Sequence, residues 1–254
     1  MYISVEEARS QSSCVSNCHI RRRYRATMMI PWKICVSILA QDTEDATKKI
    51  KEAENIADIV EIRVDSMREF DLKRILEKRN VPILVTYRRA EEGGLKKDIK
   101  DEERIEVLKE AILLGADYVD VEYEIKDELK NELLKKKGRT KIVLSKHFFK
   151  PVKKELLYEY AERLVSSEAD ILKLIGYADS WEDNLLFLNL VEKYSKIGYK
   201  FISFGMGSYG RLSRIMCTAF GSPWTYASLK EKAAPGQINA HVLKKIWSWI
   251  VGED

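Results

Sequence analysis

The sequence predicts a (β/α)8 TIM barrel of the α/β class that forms a single domain. Short apolar segments alternate with charged, amphipathic segments from residue 33 to the C-terminus. About eight such units are present, which is the number that closes a parallel sheet into a barrel. The chain has 254 residues, a length that barrels of this kind commonly fill as one domain. A doubly wound open sheet is the second candidate fold.

Eight apolar segments are the predicted strands. They occupy residues 34–38, 59–64, 83–87, 118–121, 142–145, 171–175, 201–204 and 224–227. Between them, apolar residues recur every three or four positions, as in Ile105, Leu108 and Ile112, with Arg104 and Glu106 on the opposite, polar side. Three of these helical segments end in a glycine, a residue that readily adopts the left-handed conformation that stops a helix. These glycines are Gly115, Gly138 and Gly198.

Positive charge is concentrated at the N-terminus. The formal net charge is +4, and residues 1–32 hold five arginines against two glutamates, a net of +3, which leaves +1 for the remainder. A nearly neutral body has no electrostatic footprint for nucleic acid or an anionic membrane. Because residues 1–32 also lack periodicity, we predict an unstructured N-terminal arm there and a catalytic barrel over residues 33–254. Met28 and Met29 are candidate start residues.

Four cysteines are too few and too scattered for a disulfide framework in a chain of this length. Free thiols in a reducing cytosol are the simpler expectation. Cys14, Cys18 and His19 have no second ligand pair at finger-like spacing, so we do not predict a metal site. No apolar run approaches the length of about 20 residues that spans a bilayer. We therefore expect a soluble, cytoplasmic protein.

One glycine motif suggests a different function. Residues 205–210, Gly-Met-Gly-Ser-Tyr-Gly, fit the dinucleotide-binding fingerprint and follow a predicted strand. The motif occurs in the seventh unit rather than the first, however, and the acid at a suitable distance, Glu231, falls in a predicted loop. We therefore discount a nucleotide site.

Lys173 is the most informative residue, because it lies inside the apolar segment 171–175. A lysine in a core strand is either paired or kept partly neutral for chemistry, and a neutral amine forms Schiff bases with carbonyls. Snorkelling of its ammonium into water is the competing explanation. The preceding predicted strand runs into His147, which is suited to proton transfer near neutral pH if a carboxylate such as Glu122 fixes its tautomer.

Polar side chains follow most of the remaining strands as well. In a barrel, the C-terminal ends of the strands meet at one mouth, where catalytic residues lie. Arg63, Arg88 and Arg214 at that mouth would indicate an anionic substrate, since guanidinium groups bind carboxylate or phosphate bidentately. Taken alone, Glu61, Arg63 and Asp65 favour a structural ion-pair cluster. Lys146 is not a predicted site residue, because alternation points it to the opposite side of its strand from His147.

These segments, taken together and in this order, resemble the type I 3-dehydroquinate dehydratases. The resemblance runs from about Lys33 to the C-terminus, and its motifs are weak singly but specific as an ordered set. The matching segments are residues 61–65 (Glu-Ile-Arg-Val-Asp), 86–88 (Thr-Tyr-Arg), 92–94 (Glu-Gly-Gly), 120–122 (Asp-Val-Glu), 145–149 (Ser-Lys-His-Phe-Phe), Lys173, Met206-Gly207, Gly210, Ser213-Arg214, Gly221-Ser222 and 234–237 (Ala-Pro-Gly-Gln).

The resemblance implies a barrel without metal or cofactor that converts 3-dehydroquinate, a small-molecule substrate, to 3-dehydroshikimate in the shikimate pathway. It implies that Lys173 forms a Schiff base with the C3 ketone, and that His147 takes a proton from C2 and then protonates the departing hydroxyl. Glu122 would orient His147. The hydroxyls and carboxylate of the substrate would be held by Glu61, Arg63, Arg88, Arg214 and Gln237. A homodimer is common among relatives.

The chain departs from the family pattern at one position. Many relatives carry serine where this chain has Ala233, so one hydroxyl contact with substrate is expected to be missing. Three competing functions are also compatible with parts of the sequence. A Schiff-base barrel of the class I aldolase type would use the same lysine on carbon–carbon bonds. A non-catalytic binding barrel would make no covalent bond, and a nucleic-acid-binding protein would use the basic residues 21–25.

Overall fold

A computed structural model describes residues 32–77 and 79–252 of the chain. The basic run at residues 21–25, the Cys14–His19 pattern and nearly all of the predicted arm lie outside these residues, so what we expect of them stays a prediction. Within the described range no helix is long and apolar enough to cross a membrane.

Eight parallel strands form one sheet that curls into a nearly closed barrel. They are β1 (Ile34–Leu39), β2 (Ile59–Arg63), β3 (Ile83–Thr86), β4 (Tyr118–Glu122), β5 (Lys141–His147), β6 (Ile171–Tyr177), β7 (Phe201–Met206) and β8 (Thr225–Ser228). Their hydrogen-bonded order is β7-β6-β5-β4-β3-β2-β1-β8, which follows the chain around the barrel with β8 returning to β1. The predicted (β/α)8 fold is confirmed, and the doubly wound open sheet is wrong.

Helices connect successive strands and cover the outside of the barrel. They are α1 (Thr43–Ala53), α2 (Leu72–Glu77), α3 (Asp101–Leu113), α4 (Asp127–Lys136), α5 (Lys154–Val165), α6 (Asp183–Lys196), α7 (Arg211–Met216) and α8 (Ala240–Val251). Gly115 and Gly198 follow α3 and α6 with φ of 81° and 97°, in the left-handed region predicted for helix stops.

Alternation along each strand separates two apolar layers. On β1, Val36 and Ile38 belong to the large core between sheet and helices, whereas Cys35 belongs to a second cluster inside the barrel. Burying an isoleucine-sized side chain contributes about 1.5–3 kcal/mol, so the outer layer fixes which residues of each strand point inward. On β6 the inward side chains include Lys173 and Ile175.

The glycine motif at residues 205–210 has a packing explanation. A Cβ on Gly210 would overlap the backbone carbon of Gly205, and Gly207 has φ of 82°. The glycines therefore allow the chain to turn tightly from β7 into the six-residue helix α7.

Candidate active site

A single pocket at the C-terminal ends of the strands collects most of the predicted site residues. It contains about 440 Å³ of space between protein atoms, including its opening. Seven of the eight predicted residues line it, and so does Ala233. These seven are Glu61, Arg63, Arg88, His147, Lys173, Arg214 and Gln237.

Lys173 lies buried in this pocket, with 4% of its surface exposed. Its Nζ donates to Asp120 Oδ2 at 3.0 Å and lies 3.8 Å from Glu61 Oε1. The ammonium also stands over the Tyr226 ring, 4.0 Å from the ring centroid. The snorkelling explanation is therefore wrong: the charge is held by two carboxylates and an aromatic face.

Asp120 is the partner that sequence reasoning missed. Burial would raise the pKa of this carboxyl, but the charges of Arg88 and Lys173 hold it well below its usual range. Arg88 Nη2 lies 2.8 Å away and Ser145 Oγ donates at 2.6 Å. The sequence does carry a signal for this residue, because an acid at the middle of a buried strand needs a cation inside the barrel.

His147 ends β5 and is positioned by Glu92, from the short 3-10 segment Ala90–Glu92. Glu92 Oε2 accepts the backbone N–H of His147 at 2.9 Å and lies 3.0 Å from Nδ1. Burial, followed by the charges of Arg88 and Lys173, holds the pKa of His147 well below its usual value. The imidazole is therefore neutral near pH 7, and with a proton on Nδ1 its Nε2 is free to accept one.

The expected contact between Glu122 and His147 is wrong. Glu122 accepts hydrogen bonds from Arg88 Nη1 at 3.2 Å, from the backbone N–H of Arg89 at 2.9 Å, and from Arg104. Arg104, predicted on the polar side of α3, is instead buried and reaches inward to this carboxylate. A fully buried charge needs a paired partner, and Arg104 and Arg88 together satisfy Glu122.

Arg63 and Arg88 are committed to carboxylates. Arg63 makes a bidentate pair with Asp65, with Nε–Oδ1 of 2.8 Å and Nη2–Oδ2 of 2.7 Å. Burial opposes ionisation of Asp65, yet the hydrogen bonds and charge of Arg63 hold its pKa below the usual value. Glu61 does not join this pair, because Ser37 and Thr86 donate to it at 2.6 and 3.0 Å. The structural-cluster interpretation therefore fits Arg63 and Asp65.

Arg214 is different, since no carboxylate among the described residues pairs with it. Its Nη1 and Nη2 donate to the backbone oxygens of Tyr226 and Pro235 at 3.3 and 3.4 Å, and Nε has no partner within this range. Burial lowers its pKa to about 10, which leaves it charged near pH 7. The ring of Phe204 lies 4.2 Å from the guanidinium carbon. Arg214 is thus a buried cation whose Nε–H has no hydrogen-bond acceptor among the described residues.

Gln237 closes the pocket from the segment after β8. Its Oε1 accepts the backbone N–H of Ala233 at 2.6 Å, and its Nε2 lies 3.2 Å from Ser37 Oγ. Gly236 has φ of 77°, and a Cβ there would overlap the backbone oxygen of Gly207. The segment is therefore packed against the turn after β7, over the mouth of the barrel.

Sequence comparisons with known proteins all point to one family of enzymes. A family model described as type I 3-dehydroquinase matches residues 34–254. The 3-dehydroquinate dehydratase of Methanococcus maripaludis strain C5 is 40% identical over 219 residues, which cover 84% of this chain and 97% of that protein. The corresponding protein of Pyrococcus abyssi is 36% identical, covering 87% and 99%.

Solved structures agree with the sequence comparisons. The type I 3-dehydroquinate dehydratase of Clostridium difficile, crystallised with covalently modified comenic acid, has a TM-score of 0.76 at 29% identity and covers 87% of this chain and 93% of its own. The 3-hexulose-6-phosphate synthase of Salmonella typhimurium has a TM-score of 0.55 at 13% identity, covering 84% and 97%. That second likeness is one of fold alone.

Proposed function

Since the chain belongs to the type I 3-dehydroquinase family, by a match over residues 34–254, we propose that it dehydrates 3-dehydroquinate to 3-dehydroshikimate through a Schiff base on Lys173. The observation that carries this mechanism is the burial of an amine at the base of a pocket whose wall holds a neutral imidazole. Covalent modification in the Clostridium difficile relative supports covalent chemistry in the family.

Lys173 is the nucleophile in this proposal. The Lys173 ammonium first gives one proton to water, and the free amine then attacks the C3 carbonyl; the hydroxyl of the resulting carbinolamine takes up a proton and leaves as water, which gives a protonated imine. The imine carries the same positive charge as the ammonium, so Asp120 at 3.0 Å and the face of Tyr226 stabilise it in place. Electrons from the C2–H bond then move toward the imine nitrogen, which forms an enamine.

His147 moves the proton. Its Nε2 takes the proton from C2, and the imidazolium then donates it to the hydroxyl that leaves from the adjacent carbon as water. The enamine electrons form the new carbon–carbon double bond and restore the imine. Hydrolysis of the imine releases the product and regenerates the amine. Glu92 takes the orienting role first expected of Glu122, which instead positions Arg88 through their 3.2 Å contact.

The remaining pocket residues hold the substrate. Arg214 is proposed to bind the substrate carboxylate, because its guanidinium has an unpartnered Nε and no carboxylate partner among the described residues. Gln237 assists through its amide. Glu61, Arg63 and Arg88 are proposed to contact the hydroxyls, since their charges are already balanced and their remaining capacity suits neutral groups.

Borohydride reduction in the presence of 3-dehydroquinate tests the mechanism. We expect one stable adduct, placed on Lys173 by peptide mapping, with a mass that reflects loss of water. Lys173→Met should give no adduct, whereas His147→Gln should give an adduct that retains the hydroxyl. A folded wild-type protein that yields no adduct, or one on another lysine, would contradict the Schiff base and direct attention to aldolase-type substrates.

We also propose that the enzyme is a cytoplasmic homodimer. Cys35 and Cys217 are both free and buried, which supports a reducing compartment. Trp181, 60% exposed, packs edge-on against Tyr209 with ring centroids 5.5 Å apart, and Leu185 is also exposed, which supports an apolar contact surface. Light scattering should give a dimer for the wild type and a monomer for Trp181→Glu. A monomeric wild type would refute the dimer.

A further inference from the structure

The Glu92–His147 pair borders two cavities. One is the substrate pocket, and the second is an outer cavity of about 700 Å³, measured with its opening, on which both residues also lie. Several charged side chains line the outer cavity. These are Arg89, Glu91, Glu124, Lys146 and Lys150.

Lys146 is the cation in this cavity that approaches Glu92. Its Nζ lies 3.5 Å from Glu92 Oε1 and 3.0 Å from Glu124 Oε1. The ammonium also lies near the rings of Phe148 and Tyr160, with Nζ 5.3 and 5.2 Å from their centroids, and only 13% of the side chain is exposed. The ammonium is therefore held in place behind Glu92.

Glu92 is poised between two protonation states. Its Oε2 contacts the backbone N–H and Nδ1 of His147, whereas Oε1 is buried and has no hydrogen-bond partner among the described residues. Burial raises the pKa of Glu92 to about 7; the charges of Arg88 and Lys146 oppose this shift and that of Glu122 adds to it. Arg88 is already committed to Asp120 and Glu122, so Lys146 is the cation that Oε1 faces.

The charge of Glu92 decides which nitrogen of His147 carries the proton. An ionised Glu92 accepts a hydrogen bond from Nδ1–H, which leaves a lone pair on Nε2. A protonated Glu92 donates to Nδ1 instead, which puts the imidazole proton on Nε2 and removes the base. The ionised state is thus the active one.

We propose that Lys146 is a positioning residue for the dehydration: its ammonium, 3.5 Å from Glu92 Oε1, favours the ionised form of Glu92 and so favours the His147 tautomer with a free Nε2. The inference rests on the proposed role of His147 as the base. Glu124 moderates this effect, because it draws the same ammonium toward itself and is held by Tyr160, whose hydroxyl donates at 2.6 Å.

The pH profile of kcat/KM tests the proposal, since its acid limb reports the ionisation of the free enzyme. For Lys146→Met we expect the acid limb to move up by about one pH unit, the usual size of the effect of a nearby opposite charge. At pH values above the acid limb, kcat/KM and KM of Lys146→Met should stay close to those of the wild type. Lys146→Arg should restore the limb. Lys150→Met should leave the acid limb unmoved, because Lys150 lines the same cavity but makes no ion pair with another described residue.

A second variant and a direct probe complete the test. Glu124→Gln keeps Lys146 but removes the carboxylate that competes with Glu92 for the Lys146 ammonium. The acid limb of this variant should therefore move toward lower pH. Nitrogen-15 NMR of the His147 ring at pH 7 should show a larger share of the Nε2–H tautomer in Lys146→Met than in the wild type. Identical limbs for wild type and Lys146→Met, or a uniform loss at every pH, would overturn the inference. If the Schiff-base proposal itself fails, wild type gives no borohydride adduct, a result independent of these profiles.

Discussion

The arginines on the two sides of the pocket have different hydrogen-bond partners. On the side of β2 and β3, Arg63 and Arg88 are paired with buried carboxylates at 2.7 and 2.8 Å. On the side of β7 and β8, Arg214 is equally buried, but its hydrogen bonds within the described residues go to backbone oxygens, at 3.3 and 3.4 Å. Three arginines at one mouth are therefore in two different states: two are charge-balanced by carboxylates, and the third has no counter-ion among the described residues.

Paired and unpaired buried arginines differ in their effect on stability and in their ability to bind an anion. A buried ion pair balances its own charge, and breaking it leaves the partner unpaired, which costs about 3–5 kcal/mol. A buried cation without a counter-ion among the described residues is unfavourable, as the lowered pKa of Arg214 reflects. An anionic substrate group would supply the counter-ion, so we expect Arg214 to contribute more to substrate binding than Arg63 or Arg88.

Lys173 lies between the two sides and gives the largest expected effect. Lys173→Met should lower kcat by more than about 10⁴-fold, because the proposed nucleophile is removed. The fold should survive, since Asp120 keeps its pair with Arg88. Activity assays together with thermal unfolding check both parts. A variant that retains a few per cent of wild-type activity would contradict the role of this amine.

Arg63 tests the structural side of the comparison. Arg63→Met should lower the free energy of unfolding by about 3–5 kcal/mol, because Asp65 is left buried without its cation. The double variant with Asp65→Asn should lose less than the sum of the two single variants. Urea unfolding measures all three. A single-variant loss below about 1 kcal/mol would mean that this pair does not support the fold.

Arg214 tests the binding side. Arg214→Met should lower kcat/KM by about 100-fold, the value of a charged hydrogen-bonded contact, while the unfolding free energy changes by less than about 1 kcal/mol. Arg211→Met, on the exposed face of the same helix, is the matched control for kinetics. If Arg214→Met destabilised the protein as much as Arg63→Met, the contrast between the two sides would be wrong.

Ala233 gives the smallest expected effect. Ala233→Ser places a hydroxyl at a position that lines the pocket on the side of Arg214 and Gln237. One neutral hydrogen bond contributes about 1 kcal/mol, so KM should fall by about fivefold with kcat almost unchanged. Steady-state kinetics check this. An increase in KM would show that the segment around Ala233 has no room for a hydroxyl.

Much of the fold follows from local patterns. All eight predicted strands are present, and the structure extends β5 to His147 and β6 to Tyr177 beyond the predicted ends. The strand ends and the loop after β7 also identified six residues of the pocket, because parallel strands deliver their C-terminal ends to one mouth, and the family resemblance added Gln237. Ser145 and Lys173 lie opposite each other in register on the adjacent strands β5 and β6.

The sequence by itself thus determined the barrel and the collection of ionisable groups at the mouth, because the short apolar runs of the strands and the three-to-four-residue spacing of the helices are local patterns. Only the tertiary structure decided which charges pair. Arg104 crosses from a helix to Glu122, Glu92 takes His147, and Lys146 reaches back to Glu92. Long side chains reach several ångströms from their own strand or helix, and a buried charge pairs with whichever opposite charge the packed fold brings within reach, so spacing along the chain does not identify the partners.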